Sequence, residues 1–147
     1  MARQFGGSIV LDKPMEEVYR FLTDPDRDTN WRRPHVLSSR KLTDGPLGRG
    51  SRFETVNKFW GKKETVVTEI TSMQPPTELA WKQVNKGTFV TDGGYGLEPA
   101  NGGTRFTLTL AGEGRGFFKL LEKRFTKYQD QKVIPLFLRQ LKEAVEA

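Results

Sequence analysis

The sequence has no cysteine, a single histidine and no long apolar run. Because it has no thiol, disulfides, thiolate nucleophiles and cysteine-ligated metals are excluded. Its longest apolar stretch is far too short to span a membrane. Residues 1–7 also lack the apolar core of a signal peptide, which predicts a cytoplasmic protein.

The length of 147 residues is enough to bury the core of one domain, which we place at residues 1–147. The formal net charge of +6 is spread over the whole chain. Such a balance favours encounter with acidic partners, but it indicates neither a fold nor a reaction.

The segment from residue 116 to residue 146 carries the longest regular pattern, and it predicts one helix. Pro135 has no N–H to donate to the carbonyl of Gln131, so we expect a kink near residues 131–135. The first half of the segment is aromatic and the second half aliphatic, which predicts a cavity beneath the first and a solid core beneath the second. The apolar residues recur at the three- and four-residue steps of one helical face, namely Phe118, Leu121, Phe125, Tyr128, Ile134, Leu138, Leu141 and Val145.

Upstream of this segment, alternating apolar residues and glycine-rich turns predict mainly strands. We expect a strand at residues 8–11, two short helices within residues 12–31, and six further strands between residues 36 and 111. Consecutive hairpins form an antiparallel sheet, and its apolar face needs the long amphipathic helix as a cover. The pattern therefore predicts an α+β fold in which a curved sheet is wrapped around the C-terminal helix.

Four short stretches resemble a known family. Residues 14–25 (PMEEVYRFLTDP) with Trp31, residues 44–53 (DGPLGRGSRF), Pro75-Pro76 with Leu79, and residues 103–105 are similar to the polyketide cyclase/dehydrase branch of the helix-grip (SRPBCC) superfamily. That superfamily includes START lipid-transfer domains and pollen-allergen-like proteins. The resemblance implies a seven-stranded antiparallel sheet gripping a long C-terminal helix, two short helices after strand 1, and a hydrophobic cavity. It implies no universal catalytic residue.

Two patterns that could bind metal or carry catalysis are incomplete. Asp24, Asp26, Asp28 and Asn30 have the spacing that opens a calcium loop, but the expected glycine and final glutamate are Thr29 and His35. Helix termination explains these aspartates better. His35 has no paired serine or second ligand and fits a strand edge. We expect no metal and no cofactor.

The basic run Lys119, Lys123, Arg124 and Lys127 is typical of the solvated face of an amphipathic helix. The chain lacks the interleaved aromatic and basic residues of RNA-binding motifs, so we expect no specific nucleic-acid partner. Peripheral contact with an anionic membrane fits the charge slightly better. We expect a monomer or a weak homodimer.

Aromatic and polar side chains share the strand and helix faces that we assign to the interior. Polar groups there cost free energy unless they have partners, and an apolar pocket with a few convergent polar groups is typical of a small-molecule site. No Asp or Glu falls on these faces, and Tyr128 is the best candidate for a catalytic group, with Asn57 and Gln83 able to hold a second polar atom. The predicted ligand-binding residues are Trp31, Phe53, Thr55, Asn57, Phe59, Thr68, Trp81, Gln83, Phe89, Thr91, Tyr95, Phe106, Leu108, Phe117, Leu121, Phe125 and Tyr128.

Three functions remain open at this point. The leading hypothesis is binding or transport of a hydrophobic small molecule such as a lipid, a polyketide or an aromatic metabolite. The first alternative is a polyketide cyclase/dehydrase-type enzyme without metal, and the second is a cochaperone-like protein-interaction module. A cluster of titratable groups in the pocket would favour the enzyme, and a filled pocket with an exposed apolar patch would favour the module.

Overall fold

The computed structural model describes residues 3–147, apart from the side chain of Asp28. The first strand is β1 (Arg3–Leu11), and it is followed by the helices α1 (Met15–Leu22) and α2 (Asp28–Trp31), with a 3-10 turn at Pro25–Arg27 between them. Six further strands are β2 (Val36–Lys41), β3 (Arg52–Phe59), β4 (Lys62–Gln74), β5 (Glu78–Gln83), β6 (Phe89–Ala100) and β7 (Gly103–Gly114). They form one antiparallel seven-stranded sheet in the order β1-β7-β6-β5-β4-β3-β2.

The predicted helix-grip fold is confirmed: the curved sheet packs around the C-terminal helical segment. Two-residue hairpin turns connect β3 to β4 and β6 to β7. Both use left-handed backbone conformations, with φ of 51° and 78° at Trp60 and Gly61, and 47° and 81° at Asn101 and Gly102. Turns of this kind match the twist of the flanking strands and hold them in register.

The first strand begins at Arg3, five residues before the predicted start at Ser8. Gly6 and Gly7 precede the predicted start, and Gly6 lies against the backbone of β7. A Cβ added at Gly6 would lie 2.1 Å from the carbonyl oxygen of Leu108. Glycine is therefore required here for close strand packing and does not mark a turn.

The C-terminal segment is not the single kinked α-helix that the sequence predicts. It consists of a 3-10 segment (Gly116–Leu121), α3 (Glu122–Tyr128), a π-helical turn (Gln129–Val133) and α4 (Ile134–Glu146). The π turn lies directly before Pro135, whose missing N–H removes a hydrogen bond from the helical ladder. The prediction of an irregularity at this place was therefore right, while the 3-10 start was not foreseen.

The solid core lies beneath α4, as the change from aromatic to aliphatic residues predicts. Leu11, Val18 and Phe106 are fully buried beside Ile134 and Leu141 of α4. The Trp31 ring meets the rings of Phe106 and Phe137 edge to face, with centroids 6.1 Å apart in each pair. The part of the sheet beneath α3 is not covered by a comparably dense layer of side chains. No helix within residues 3–147 combines the length and the apolar character needed to cross a membrane.

Candidate functional site

A cavity of about 450 Å³ lies between the sheet and the C-terminal segment, beneath the Gly116–Tyr128 half. This volume falls within the range of about 300–1,000 Å³ that is usual for small-molecule sites. Side chains from β3 to β7 form most of its wall, and Phe118, Phe125, Gln129 and Phe137 contribute from the C-terminal segment.

Most of the residues predicted from strand alternation lie on this wall. They are Trp31, Phe53, Thr55, Asn57, Phe59, Thr68, Trp81, Gln83, Phe89, Thr91, Tyr95, Leu108 and Phe125. Strand β3 contributes its whole predicted inward face, because side chains at alternate positions point to the same side of a sheet. Their contact with a ligand remains a prediction.

Three predicted residues lie away from the wall. Phe106 is fully buried in the core, where its ring contacts those of Trp31 and Tyr95. Phe117 is 69% exposed, because the 3-10 segment turns its ring outward. Leu121, the last residue of that segment, is half-buried and does not line the cavity.

Tyr128, the predicted catalytic candidate, also lies outside the cavity wall. Its ring packs against His35 and Trp60, at centroid distances of 6.3 Å and 5.6 Å. The buried positions around the π turn follow steps of four, from Phe125 to Gln129 to Val133, so Gln129 occupies the place expected for Tyr128. The earlier assignment of Tyr128 to the ligand pocket was wrong for this reason.

The polar wall residues Gln83 and Asn57 differ in what they bind. The Gln83 side chain is occupied, since its Nε2 donates to the Asn85 carbonyl at 3.3 Å and its Oε1 accepts from the Thr91 N–H at 3.0 Å. These bonds and the one from Nε2 to Asn85 Oδ1 use most of the hydrogen-bonding capacity of Gln83, and only a second lone pair of its Oε1 is left for a ligand. The side chain of the half-buried Asn57 has no hydrogen bond to any described residue, and its Oδ1 is closed off from solvent. Trp31 Nε1, also on the wall, is buried without a partner too, but Asn57 is the unpartnered group that lies on the strand face of the cavity.

A carboxylate also lines the cavity, which corrects the expectation that no Asp or Glu faces inward. Glu64 lies on the same face of β4 as Thr68, and it pairs directly with Asn57 across β3 and β4. Its Oε1 accepts a 2.5 Å hydrogen bond from the Thr88 N–H. The sequence contained the signal, because residues 64 and 68 have the same parity along one strand.

Aromatic rings connect the cavity to the surface at the β3–β4 hairpin. Trp60 lies edge-on to Phe125 at 5.8 Å, and Phe125 stacks on Phe89 with centroids 3.9 Å apart. Phe89 then contacts Phe118, whose ring also lies under Lys62 at 4.9 Å. Trp60 lines the cavity and is 49% exposed, so the cavity reaches solvent at this end. We call the region around Trp60 and residues 116–121 the hairpin end.

The chain matches a known protein family over nearly its whole length. Residues 3–146 match the family model described as polyketide cyclase / dehydrase and lipid transport. The chain belongs to this family. The resemblance noted in the sequence is thereby confirmed, and the match covers nearly the whole chain.

Three solved structures with this fold are similar to the chain at low sequence identity. TTHA0849 from Thermus thermophilus is 24% identical, with a TM-score of 0.82, and the match covers 98% of this chain and 97% of that one. The Zhui aromatase/cyclase from Streptomyces sp. R1128 is 14% identical, with a TM-score of 0.80 and coverage of 99% and 94%. Ara h 8.0201 is 17% identical, with a TM-score of 0.72 and coverage of 99% of both chains. At these identities the likeness shows the fold, and no curated protein sequence matches the chain.

The titratable residues Tyr19, His35 and Asp24 lie away from the cavity. Burial and the nearby Glu78 charge raise the pKa of Tyr19 to about 12, and its hydroxyl donates to the Glu78 carbonyl at 2.9 Å. His35 stacks on Phe59 at 4.5 Å, with its Nδ1 3.0 Å from the Lys58 carbonyl oxygen. Asp24 accepts a hydrogen bond from the Asp26 N–H, as expected at the end of a helix. Among the described side chains, no three His, Asp or Glu residues are grouped to hold a metal ion.

Proposed function

We propose that this protein binds or transports a hydrophobic small molecule, with the ligand held in the cavity between the sheet and the C-terminal segment. The observation that carries the proposal is the 450 Å³ space itself, lined mainly by apolar and aromatic side chains. Protein cores normally pack to the density of organic crystals. A large apolar space beside a well-packed core is therefore better explained by a ligand than by loose packing. The family description, which includes lipid transport, agrees with this proposal.

The three tryptophans make the proposal testable without a label, since Trp31, Trp60 and Trp81 all line the cavity. We expect an apolar naphthalene probe to change the intrinsic fluorescence with saturation. Phe53→Trp, which fills space on the wall, should weaken binding at least tenfold. Phe117→Trp is the control, because the exposed ring of Phe117 lies outside the cavity. Saturable binding that Phe53→Trp leaves unchanged would place the ligand elsewhere.

A cyclase or dehydrase reaction is the second candidate, and the observation that favours it is Glu64 on the cavity wall. A carboxylate there can take the proton from a carbon between two carbonyl groups, leaving the electron pair on the substrate as an enolate. Turnover of a model poly-β-ketone that Glu64→Gln abolishes without loss of ligand binding would establish the enzyme. If the protein binds the ligand but shows no turnover, the result supports a binding protein and not an enzyme.

We also propose that the hairpin end contacts an anionic membrane surface. Phe117 and Leu120 are 69% and 81% exposed and lie on the 3-10 segment, and the half-exposed Trp60 contacts Phe125 of the helix that follows it. Exposed cations lie in or next to these two elements, namely Arg115, Lys119, Lys123, Arg124 and Lys127, and Lys62 lies over the Phe118 ring. Exposed apolar side chains among basic ones are typical of proteins that bind at the interface of anionic lipids.

Sedimentation with vesicles of phosphatidylglycerol tests the membrane contact. The double variant Phe117→Ser/Leu120→Ser should lose most of the bound fraction. The matched control is Leu37→Ser/Leu42→Ser, which replaces two exposed leucines on the edge strand β2 and directly after it, outside the 3-10 segment. Equal binding to neutral phosphatidylcholine vesicles, or equal loss in the control, would contradict the proposal.

A further inference from the structure

Asn57 of β3 and Glu64 of β4 form a polar pair on the cavity wall. The two residues are direct partners in the antiparallel register, and both line the cavity. Side chains in such a pair lie on one face with Cβ atoms about 4.5–5.5 Å apart. Their amide and carboxylate can therefore reach the same group of a bound molecule.

The fold uses only part of the hydrogen-bonding capacity of this pair. Glu64 Oε1 accepts from the Thr88 N–H, which fixes the carboxylate against the start of β6. Within the described residues, no hydrogen bond reaches the second oxygen of Glu64 or the amide of Asn57. A structural role for Glu64 alone would need one oxygen and would not explain an unpartnered amide opposite it.

Lys62, a cation on the same wall, makes no direct ion pair with Glu64. Lys62 follows the same inward face, but its Nζ donates to Thr88 Oγ1 at 2.7 Å and lies over the Phe118 ring. No ion pair to Glu64 occurs among the described side chains, although seven such pairs are found elsewhere. The site therefore presents a negative acceptor beside a neutral amide that can both donate and accept.

We propose that Asn57 and Glu64 recognise a hydroxyl group, so that the ligand is a neutral, hydroxyl-bearing hydrophobic molecule and not a carboxylate. The ligand O–H donates to the second oxygen of Glu64, and its oxygen accepts from the Asn57 amide. A fatty-acid carboxylate offers no proton to Glu64 and brings a like charge against it in a poorly solvated space. This inference rests on the proposed binding function, and it names the ligand class for the same cavity.

A matched set of probes tests the proposed binding function and the proposed hydroxyl recognition separately. The probes are 2-methylnaphthalene, 2-naphthol and 2-naphthoate, which share one ring system and differ in a single substituent. At pH 7 we expect 2-naphthol to bind about tenfold more tightly than 2-methylnaphthalene, the effect of one hydrogen bond to a charged acceptor. We expect 2-naphthoate to bind at least tenfold more weakly than 2-naphthol.

Glu64→Gln should remove most of the naphthol advantage and improve naphthoate binding, since glutamine keeps an acceptor for the Thr88 N–H but loses the charge. Glu69→Gln is the control, because Glu69 is on β4 but faces the other side, in an ion pair with Arg52 at 2.9 Å. Asn57→Leu is the second variant, and it should weaken naphthol binding without improving naphthoate binding.

Each outcome decides one of the two proposals. If 2-methylnaphthalene does not bind the wild-type protein, the proposed binding function fails. If it binds and 2-naphthoate binds as tightly as 2-naphthol, only the hydroxyl inference is overturned. The same holds if the naphthol advantage survives both Glu64→Gln and Asn57→Leu.

Discussion

The unpartnered amide of Asn57 predicts that a substitution on the cavity wall stabilises the ligand-free protein. A buried polar group without a hydrogen bond costs about 1–3 kcal/mol of folding free energy. Asn57 is half-buried, so we take the lower end of this range for Asn57→Leu. Leucine has the same number of side-chain heavy atoms and the same branch at Cγ, and asparagine is disfavoured in strands, which adds a few tenths of a kcal/mol. We expect a gain of about 1 kcal/mol, or about 3 °C in the melting temperature of a domain of this size.

The assay is urea unfolding of protein that has been unfolded in guanidinium, extracted with solvent and refolded, so that no ligand is carried over. The midpoint should rise while the slope with denaturant stays constant. Asn85→Leu is the control, because Asn85 Oδ1 accepts from the Val67 N–H at 2.9 Å and its Nδ2 donates to the Thr65 carbonyl at 2.8 Å. That variant should be destabilised by about 1–3 kcal/mol. A loss of stability in Asn57→Leu comparable to that in Asn85→Leu would refute the reasoning.

Three further predictions concern stability. The raised pKa of Tyr19 means that the folded state keeps the phenol proton between about pH 10 and 12, whereas the unfolded state releases it. The stability contributed by Tyr19 should therefore be intact below pH 10 and be lost as the pH rises towards 12. Between pH 9 and pH 11.5, the free energy of unfolding should fall less in Tyr19→Phe than in the wild-type protein. An identical fall in both proteins would contradict this. Gln140 Nε2 donates to the carbonyls of Trp31 and Arg33 at 3.0 Å and 2.8 Å. Gln140→Leu should therefore lower the free energy of unfolding in urea by about 1–3 kcal/mol. A change within about 0.5 kcal/mol would show that these hydrogen bonds are dispensable. Phe125→Ala removes a buried ring stacked on Phe89 and should cost about 3 kcal/mol, the lower end of the usual range, because one side of the ring faces the cavity. Phe117→Ala should stay within about 0.5 kcal/mol, and equal effects of the two substitutions in thermal unfolding would contradict the assigned burial.

Strand faces were the part of the site that sequence periodicity predicted best. Alternation assigned Phe53, Thr55, Asn57 and Phe59 to one face, and all four line the cavity. The same parity argument, carried from Thr68 back along β4, would have found Glu64. It was missed because charged residues were expected to face water.

The helix side was less predictable, because the π turn moves the buried positions by one residue. A regular helical period led to Tyr128, while the structure places Gln129 on the wall. Proline at residue 135 signalled an irregularity but not its type. The hydrogen bonds of Gln83 to Asn85 and Thr91 could not be foreseen either, since they depend on how β5 and β6 and the loop between them meet.

The strand order also has a consequence for how the chain folds. Strands β2 to β7 join neighbours in sequence through hairpins, so most of the sheet can form from local contacts as the chain emerges. Strand β1 pairs with β7, and Arg3 meets Gly112, which lies far along the chain. The first strand must therefore wait until β7 has been synthesised, and closing this long loop is the expected slow step. Until then the edge of β7 stays open to other chains, so β1 serves as the segment that closes the sheet against aggregation.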